Sequence, residues 1–352
     1  MHRGIRIALL GLGKIGREFV TCSMYYPEYQ IVALSDTSGV LHKKTGFKKS
    51  ELTHIIREKE NKQPLESLSD RYRFSENIDT LQTHNPDAVI DVTASQTYPI
   101  LYSVIKSAHI ISSNKIPFSE TSYYAYKRLQ EKASENDKIL DIGTTVGAGL
   151  QAPNLLKTLP DGVTKVTGCL SGTMNYISQR INENIQLSSA IIEAMKPPRN
   201  YTEPDPRIDL SGKDFARKLV ILSRLAGKKL ELNQIYLQDI IPTHLKKVSQ
   251  EEFLKNIEDV NLPMQQTLDH AKNNEKALWF LGTADLESDK YSIEFKEISY
   301  KDPISRGKES DNIIRFYPNK WRRPITIAGP GAGVPETVSG LISGVEKLSI
   351  LY

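Results

Sequence analysis

Three observations predict an α/β fold built as two domains. Residues 5 to 143 alternate short β-rich runs with stretches patterned as helix, and the 352 residues exceed what one ordinary core holds. A small-residue segment, Gly143-Thr-Thr-Val-Gly-Ala-Gly149, then marks a change of pattern suited to a hinge. The strand candidates of the first part are Arg6 to Leu10, Gln30 to Leu34, Ala88 to Val92, His109 to Ser113 and Ile139 to Ile142. The segments between them are long enough for crossover helices, so the sheet is read as parallel and doubly wound.

Beyond the hinge come Lys165 to Leu170, a helix from Met174 to Met195, a proline-rich loop from Pro197 to Pro206, and a helix over Ser211 to Gly227. Ala277 to Asp285 and Tyr291 to Tyr300 read as neighbouring antiparallel strands, which makes the second domain α+β. The C-terminus, Ile325 to Leu351, reads as a strand, then Gly329-Pro-Gly-Ala-Gly333, then a helix from about Pro335 that docks back on the first domain. The domains are therefore 1–143 with 325–352, and 144–324.

Composition excludes several classes. Hydrophobic residues at 39%, charged residues at 25% and a mean hydropathy of −0.39 describe a soluble globular chain. No apolar run approaches the roughly 18 residues of a membrane span. The basic and apolar start, Met1 to Leu10, leads straight into Gly11 and reads as a first strand rather than a leader. Cys22 and Cys169 have no Cys or His neighbour at metal-ligand spacing, which points to a reducing, cytoplasmic setting. Net charge of +4 is spread along the chain, and the lysines from Lys43 to Lys49 lack interleaved aromatics, so nucleic acid is not the expected partner.

Gly11-Leu-Gly13-Lys14-Ile15-Gly16 follows the first strand and opens a helix, the setting a Rossmann dinucleotide fingerprint requires. Asp36 ends the second strand about 20 residues further on, where an acid accepts a ribose 2′-hydroxyl. That acid repels a 2′-phosphate, whereas Lys43, Lys44 and Arg57 follow closely enough to neutralise one, although solvation is the commoner fate of such lysines. The reading is NAD first, with NADP second. Thr93 and Ala94, and Asn114 and Lys115, also end strands of this sheet, and ligands bind beyond the carboxyl ends of such strands. Asn114 equally fits a turn residue, and Lys115 a surface lysine.

Lys218 is the sharpest anomaly. On the helix from Ser211 to Gly227, Phe215, Leu219, Leu222, Leu225 and Ala226 share one stripe, Lys213, Arg217 and Arg224 lie opposite, and Lys218 projects from within the apolar stripe. Inward lysines with nearby carboxylates commonly transfer protons, and Asp214, Asp209 and Glu203 stand just upstream. Asp214 also fits a capping box with Ser211, and the Lys218 ammonium can snorkel to water. Ser171-Gly172-Thr173 opens the preceding helix, where free N–H groups bind a carboxylate, though an ordinary N-cap is the simpler reading.

Taken together these stretches resemble homoserine dehydrogenase. The match comprises the Gly11 to Gly16 loop, Asn114-Lys115, Thr145 to Gly149, Ser171 to Thr173, Tyr201-Thr-Glu-Pro-Asp-Pro206, Asp209 to Lys218 and Gly331 to Gly333. The block from Tyr201 to Lys218 is the specific part. The resemblance implies interconversion of L-homoserine and L-aspartate 4-semialdehyde with NAD or NADP, a step in threonine, methionine and isoleucine biosynthesis. It assigns Lys218 as proton donor and acceptor, and Asp214 to the reacting oxygen or to Lys218. Glu203 receives the substrate ammonium, Asp209 supports the acids, and Gly172 and Thr173 receive the carboxylate. Lys115 lies between cofactor and substrate, and Gly331 and Gly333 join the cofactor contacts.

The resemblance further implies a monovalent cation, usually sodium, on the main-chain oxygens of Gly143, Val146, Ala148 and Leu150. Gly143 stands where relatives usually carry Glu, Gln151 where proline is common, and Asn200 where glycine is common. It also implies a homodimer formed through the second domain's sheet. Longer relatives append an ACT domain or an aspartate kinase, neither of which is expected here. Two rivals are weaker. A phosphorylating semialdehyde dehydrogenase needs a nucleophilic cysteine, and Cys169 has no evident base. A non-catalytic dinucleotide sensor would be expected to lose Lys218 or its acids.

Overall fold

The computed structural model describes residues 4–349, and the chain divides into two compact units, Met1–Asn154 with Ala332–Tyr352 and Leu155–Gly331. The first unit holds strands β1 (Ile5–Leu10), β2 (Tyr29–Ser35), β3 (Val40–His42), β4 (Arg73–Ser75), β5 (Ala88–Asp91), β6 (His109–Ser112) and β7 (Leu140–Asp141). They form one sheet in the order β4-β3-β2-β1-β5-β6-β7. The five predicted strands are parallel neighbours, as expected of a Rossmann-type sheet. β3 and β4 add an antiparallel edge that alternation did not reveal, because runs of 3 residues each are too short to carry a period.

β1 is buried on both faces except at Arg6, as a central parallel strand requires. One face packs Ile5, Ile7 and Leu9 against Phe19, Val20, Leu52, Ile55, Leu341 and Val345, from the helices Lys14–Ser23, Lys49–Glu60 and Val334–Glu346. The terminal helix thus belongs to the first unit. Chain order reverses between β1 and β5, which places the switch point of the sheet at Gly11 and Thr93.

The second unit holds β8 (Val163–Cys169), β9 (Tyr236–Leu237), β10 (Lys276–Asp285), β11 (Lys290–Ser299), β12 (Asp311–Pro318) and β13 (Ile325–Pro330), in the order β13-β12-β8-β10-β11-β9. β10 and β11 pair antiparallel from Lys276↔Ser299 to Asp285↔Lys290. β13 pairs with β12, so the boundaries fall after Asn154 and Gly331 and not at 143 and 324. The segment from Gly143 stays with the first unit because its turns pack on the terminal helix, where a Cβ on Gly340 would lie 2.9 Å from Thr144 Oγ1.

The helix expected from Met174 to Met195 is two, Gly172–Asn182 and Leu187–Met195. Asn184 takes a left-handed conformation at φ +66°, and the Ile185 amide closes the first helix on the Arg180 carbonyl. The helix Lys213–Leu225 lies on β10 through Phe215, whose ring occupies the space a side chain at Gly282 would take, 2.5 Å from that Cβ position. Among the described residues no helix is long and apolar enough to cross a membrane.

Candidate active site

Phe215 fixes the rotation of the helix Lys213–Leu225, and that rotation sends Lys218 inward. The side chain is 7% exposed, its ammonium donates to the Leu170 carbonyl at 2.6 Å and lies 2.9 Å from Asp214 Oδ2, one turn earlier. Asp214 itself is 53% exposed, so one partner of the pair is buried and the other wet. Two details of the helix differ from expectation. Gly212, left-handed at φ +66°, precedes the first turn, while Ser211 closes the short helix Arg207–Leu210 and accepts from the Lys213 amide at 3.3 Å. Arg224, read as solvent-facing, is 2% exposed and donates to the Leu230 carbonyl and to Glu231, a partner that only the turn after the helix supplies.

Leu170 leads directly into Ser171, Gly172 and Thr173. Ser171 is an ordinary N-cap, its hydroxyl accepting from the Met174 amide at 3.3 Å. Gly172 is packed against the loop before β12, where a Cβ would meet the Ser310 carbonyl at 2.5 Å. The buried Thr173 hydroxyl lies 2.6 Å from the Tyr201 carbonyl and 2.9 Å from Asp209 Oδ1, and Asp209 Oδ2 accepts from the Glu203 amide at 2.8 Å. Burial raises the Asp209 carboxyl above its ordinary range despite those hydrogen bonds. Glu203 is exposed at the tip of this strap. The Tyr201 ring packs edge-on to Tyr176 at 5.3 Å, and its hydroxyl reaches Glu309, which fixes the strap from the other side. The structure therefore gathers Gly172, Thr173, Glu203 and Asp209 at one helix start, and sets the Lys218 ammonium, paired with Asp214, on the Leu170 carbonyl just before it.

In the first unit, Gly11 is left-handed at φ +102°, and a Cβ there would lie 2.9 Å from Thr93 Cγ2. A Cβ on Gly16 would lie 2.1 Å from the Gly11 carbonyl, so the helix packs tightly on the turn. Gly13 differs. A Cβ there would meet only open space, and this residue caps a helix start that has no side-chain cap. An open, uncapped helix start over a glycine is what a pyrophosphate needs, so these residues fit a dinucleotide. Lys14 and Ala94 are exposed, while Ile15 packs on the core. Asn114 is a structural hub, donating to Asp91, Thr93, the Ser95 carbonyl and Thr97, and Lys115 caps the short helix that follows. Asp91, fully buried, gathers Thr93, Thr97 and Asn114, and burial pushes its carboxyl up. Gly331 lies in the second unit with no room for a side chain beside Asn312, and Gly333 lies in the first at φ +126°.

Asp36 is not an open acceptor. Oδ1 accepts from the Ser38 amide and hydroxyl at 2.8 and 2.6 Å, and Oδ2 from Lys59 and the Leu65 amide at 2.5 and 3.0 Å. Burial pushes the carboxyl up, but Lys59 and Ser38 more than offset it and hold the group below its ordinary range. Of the cations expected to compete for a phosphate, Lys43 pairs with Glu51, and Arg57, its side chain 68% exposed, lies beside Glu58. Lys59 had no local signal, since it reaches Asp36 across 23 residues.

Gly143 and Ala148 open two short turns, Gly143–Thr145 and Ala148–Leu150, separated by Val146 and the left-handed Gly147. A side chain at 143 would collide with Asn154, 2.0 Å from the Cβ position. The acid beside these turns is Asp141, 4% exposed, which accepts from Gly143, Asn154 and Lys347. Burial raises its carboxyl, and Lys347, with the Gly143 amide and Asn154, more than reverses the effect. The Ala148 carbonyl accepts from the Gln151 amide at 3.2 Å. Among the described residues no group of His, Cys, Asp and Glu side chains is arranged to hold a metal. Cys169 is inert as a nucleophile: burial pushes its thiol up to about 12, and Sγ donates to the Ser171 carbonyl at 3.4 Å.

Comparison with known proteins identifies the family. Residues 155–345 match the homoserine dehydrogenase family model. The chain is 30% identical to the homoserine dehydrogenase of Schizosaccharomyces pombe, covering 98% of this chain and 95% of that protein. It is 31% identical to that of Saccharomyces cerevisiae over 75% of this chain and 76% of the other. A bifunctional aspartokinase/homoserine dehydrogenase of Buchnera aphidicola is 30% identical, with 90% of this chain matching 37% of its length. Two solved structures share the fold: a Candida auris protein of unknown function (TM-score 0.87, 23% identity, 99% of both chains) and a hyperthermophilic archaeal homoserine dehydrogenase in complex with NADPH (TM-score 0.75, 18% identity, 99% of this chain and 98% of that one). The chain belongs to the homoserine dehydrogenase family of NAD(P)-dependent oxidoreductases.

Proposed function

We propose that this chain interconverts L-homoserine and L-aspartate 4-semialdehyde, with Lys218 as the proton-transfer group. The observation that carries this is the buried Lys218 ammonium, held between the Leu170 carbonyl and Asp214. When bound, the nicotinamide supplies hydride transfer. In oxidation Lys218, as the free amine, takes the proton of the substrate hydroxyl, and in reduction it returns that proton to the aldehyde oxygen. Asp214, half in solvent, gives the proton a route to water. Glu203, exposed on the strap, suits the substrate ammonium, and the start of the helix at Gly172 suits its carboxylate. A zwitterionic amino acid is thereby gripped at opposite ends, and orientation supplies much of the remaining acceleration.

The first choice of NAD rested on an open Asp36. Its four hydrogen bonds and its pairing with Lys59 instead support weak discrimination, because a neutral pair neither offers a spare acceptor to the ribose nor repels a 2′-phosphate. The chain accordingly takes both NAD and NADP, and Asn114 and Lys115 act at the cofactor side mainly through the loop they brace. A bound sodium is not required, since Lys347 already neutralises Asp141 beside the hinge carbonyls. The half-exposed edge strand Ile325–Pro330 supports assembly as a homodimer through the second sheet, and two free cysteines support a reducing compartment. The deciding experiment follows nicotinamide absorbance with L-homoserine at mildly alkaline pH, with NAD and NADP side by side. No homoserine-dependent change with either cofactor would overturn the enzyme reading.

A further inference from the structure

Thr173 has one hydroxyl hydrogen and two oxygen neighbours. The Tyr201 carbonyl, 2.6 Å away, can only accept, so the shorter contact uses that hydrogen. Asp209 Oδ1 then faces the Thr173 lone pairs at 2.9 Å, a distance at which a proton between the two oxygens is favourable. Asp209 Oδ2 already accepts from the Glu203 amide at 2.8 Å, so the proton belongs on Oδ1. We propose that Asp209 is held as a neutral carboxylic acid, a positioning residue that donates through Thr173 and thereby locks the Glu203 strap onto the start of the helix Gly172–Asn182.

The surroundings agree. Neighbouring cations are directed elsewhere: Arg207 pairs with Asp205, and Lys218 with Asp214 and the Leu170 carbonyl. Glu203, the charge that acts on Asp209, opposes its ionisation, as burial does. The chain Asp209 to Thr173 to the Tyr201 carbonyl is continuous, each member donating to the next, so the strap is fastened at Tyr201 and at Glu203 together. With Asp205 paired to Arg207, a neutral Asp209 also leaves Glu203 as the strap's uncompensated negative charge for a substrate ammonium. This last consequence rests on the proposed homoserine site, whereas the protonation state does not.

Two measurements test it. In protein carrying ¹³C-labelled aspartate, with D209N identifying the resonance, the Asp209 carboxyl is expected to remain protonated through the range near 3.9 where ordinary aspartates ionise, and to titrate only above it. A resonance that titrates near about 4 overturns the proposal, whatever the protein's activity. In kinetics, D209A and T173V are each expected to raise KM for homoserine about tenfold, the scale of one lost hydrogen bond, with a smaller change in kcat. Asparagine reproduces the neutral acid's donor and acceptor, so D209N is expected to recover most of what D209A loses. A D209N as impaired as D209A overturns the proposal. An enzyme without homoserine activity would instead remove the proposed function and leave the titration standing.

Discussion

Replacing Lys218 by methionine separates chemistry from folding. Methionine follows the same unbranched stem and suits a position only 6% exposed. Two groups lose a donor: the Leu170 carbonyl and Asp214. A lost hydrogen bond to a neutral acceptor costs about 1 kcal/mol, and Asp214, 53% exposed, is resolvated by water. Removing a buried charge offsets part of that loss, so stability should change by less than about 1 kcal/mol, and the melting temperature by no more than about 4 °C. The rate should respond on a different scale. Acid–base help is worth about 10² to 10⁴, equivalent to roughly 2.7 to 5.5 kcal/mol of activation free energy. Steady-state absorbance at saturating homoserine, with thermal melts on the same preparations, reads both. A folded K218M whose kcat lies within about threefold of the native protein refutes the assignment, since acid–base help is worth far more. K218R adds a second test. Arginine can keep the charge and bond the Leu170 carbonyl, but it does not give up its proton, so homoserine oxidation should be as slow as in K218M. An active K218R would mean that charge alone is what the site needs.

K59M should expose the Asp36 charge and raise KM for NADP over that for NAD by about tenfold, about 1.4 kcal/mol of added repulsion; equal changes for both cofactors would refute the weak-discrimination reading. G13A should fold normally and lose dinucleotide affinity in a binding titration, whereas G16A should destabilise the protein by about 1–3 kcal/mol, because its Cβ lies 2.1 Å from the Gly11 carbonyl. His42 and His84, with ring nitrogens 3.0 Å apart, are both held below the ordinary histidine value, by burial first, then by Arg73 for His42 and by His42 and Arg6 for His84. The unfolded chain then binds more protons, so stability should be complete above about 6.5 and fall as pH drops below it; thermal melts of H84Q should lose much of that slope. K347M should lower the melting temperature equally in sodium, potassium and choline chloride, and rescue by sodium alone would show that a bound cation can take the place of the ammonium.

The parallel strands were legible because each is a short, mostly buried run rich in apolar residues, and the Gly11 loop because its glycines answer to steric demands at neighbouring atoms. Lys218 was legible for a related reason: a charge inside an apolar stripe is improbable unless something polar meets it. What stayed hidden depends on partners remote in sequence. Lys347 reaches Asp141 across 206 residues, and no local pattern announces it. Arg224 looked solvent-facing by periodicity, yet Glu231 arrives from beyond the helix end to bury it. The break at Asn184 was concealed by helix-forming neighbours on both sides, and the cap expected at Ser211 was displaced because Gly212 takes the left-handed turn instead. The substrate itself came from the Tyr201 to Lys218 block and its resemblance, not from any single side chain.

The ion pairs of this chain differ in which partner is wet, and that difference separates pairs that can only anchor from one with the geometry proposed for proton transfer. In Lys347–Asp141 the carboxylate is buried and the lysine 40% exposed, so the acid is fixed and the ammonium merely covers it. In Arg224–Glu231 the guanidinium is fully buried, and an arginine does not give up its proton, so the pair can only hold structure. Asp36–Lys59 is enclosed on both sides, at 9% and 14%, which fixes the loop but leaves neither group exchanging readily with solvent. Lys218–Asp214 alone among these pairs a buried lysine, 7% exposed, with a carboxylate open to water at 53%. The buried end can meet a substrate oxygen in a dry site, where proton position controls reactivity, and the open end can exchange the proton with bulk solvent between turnovers. Filling the exposed side, for instance with D214L, should therefore slow the step that returns Lys218 to its starting protonation state, and a burst of product followed by a slower steady rate would be its signature.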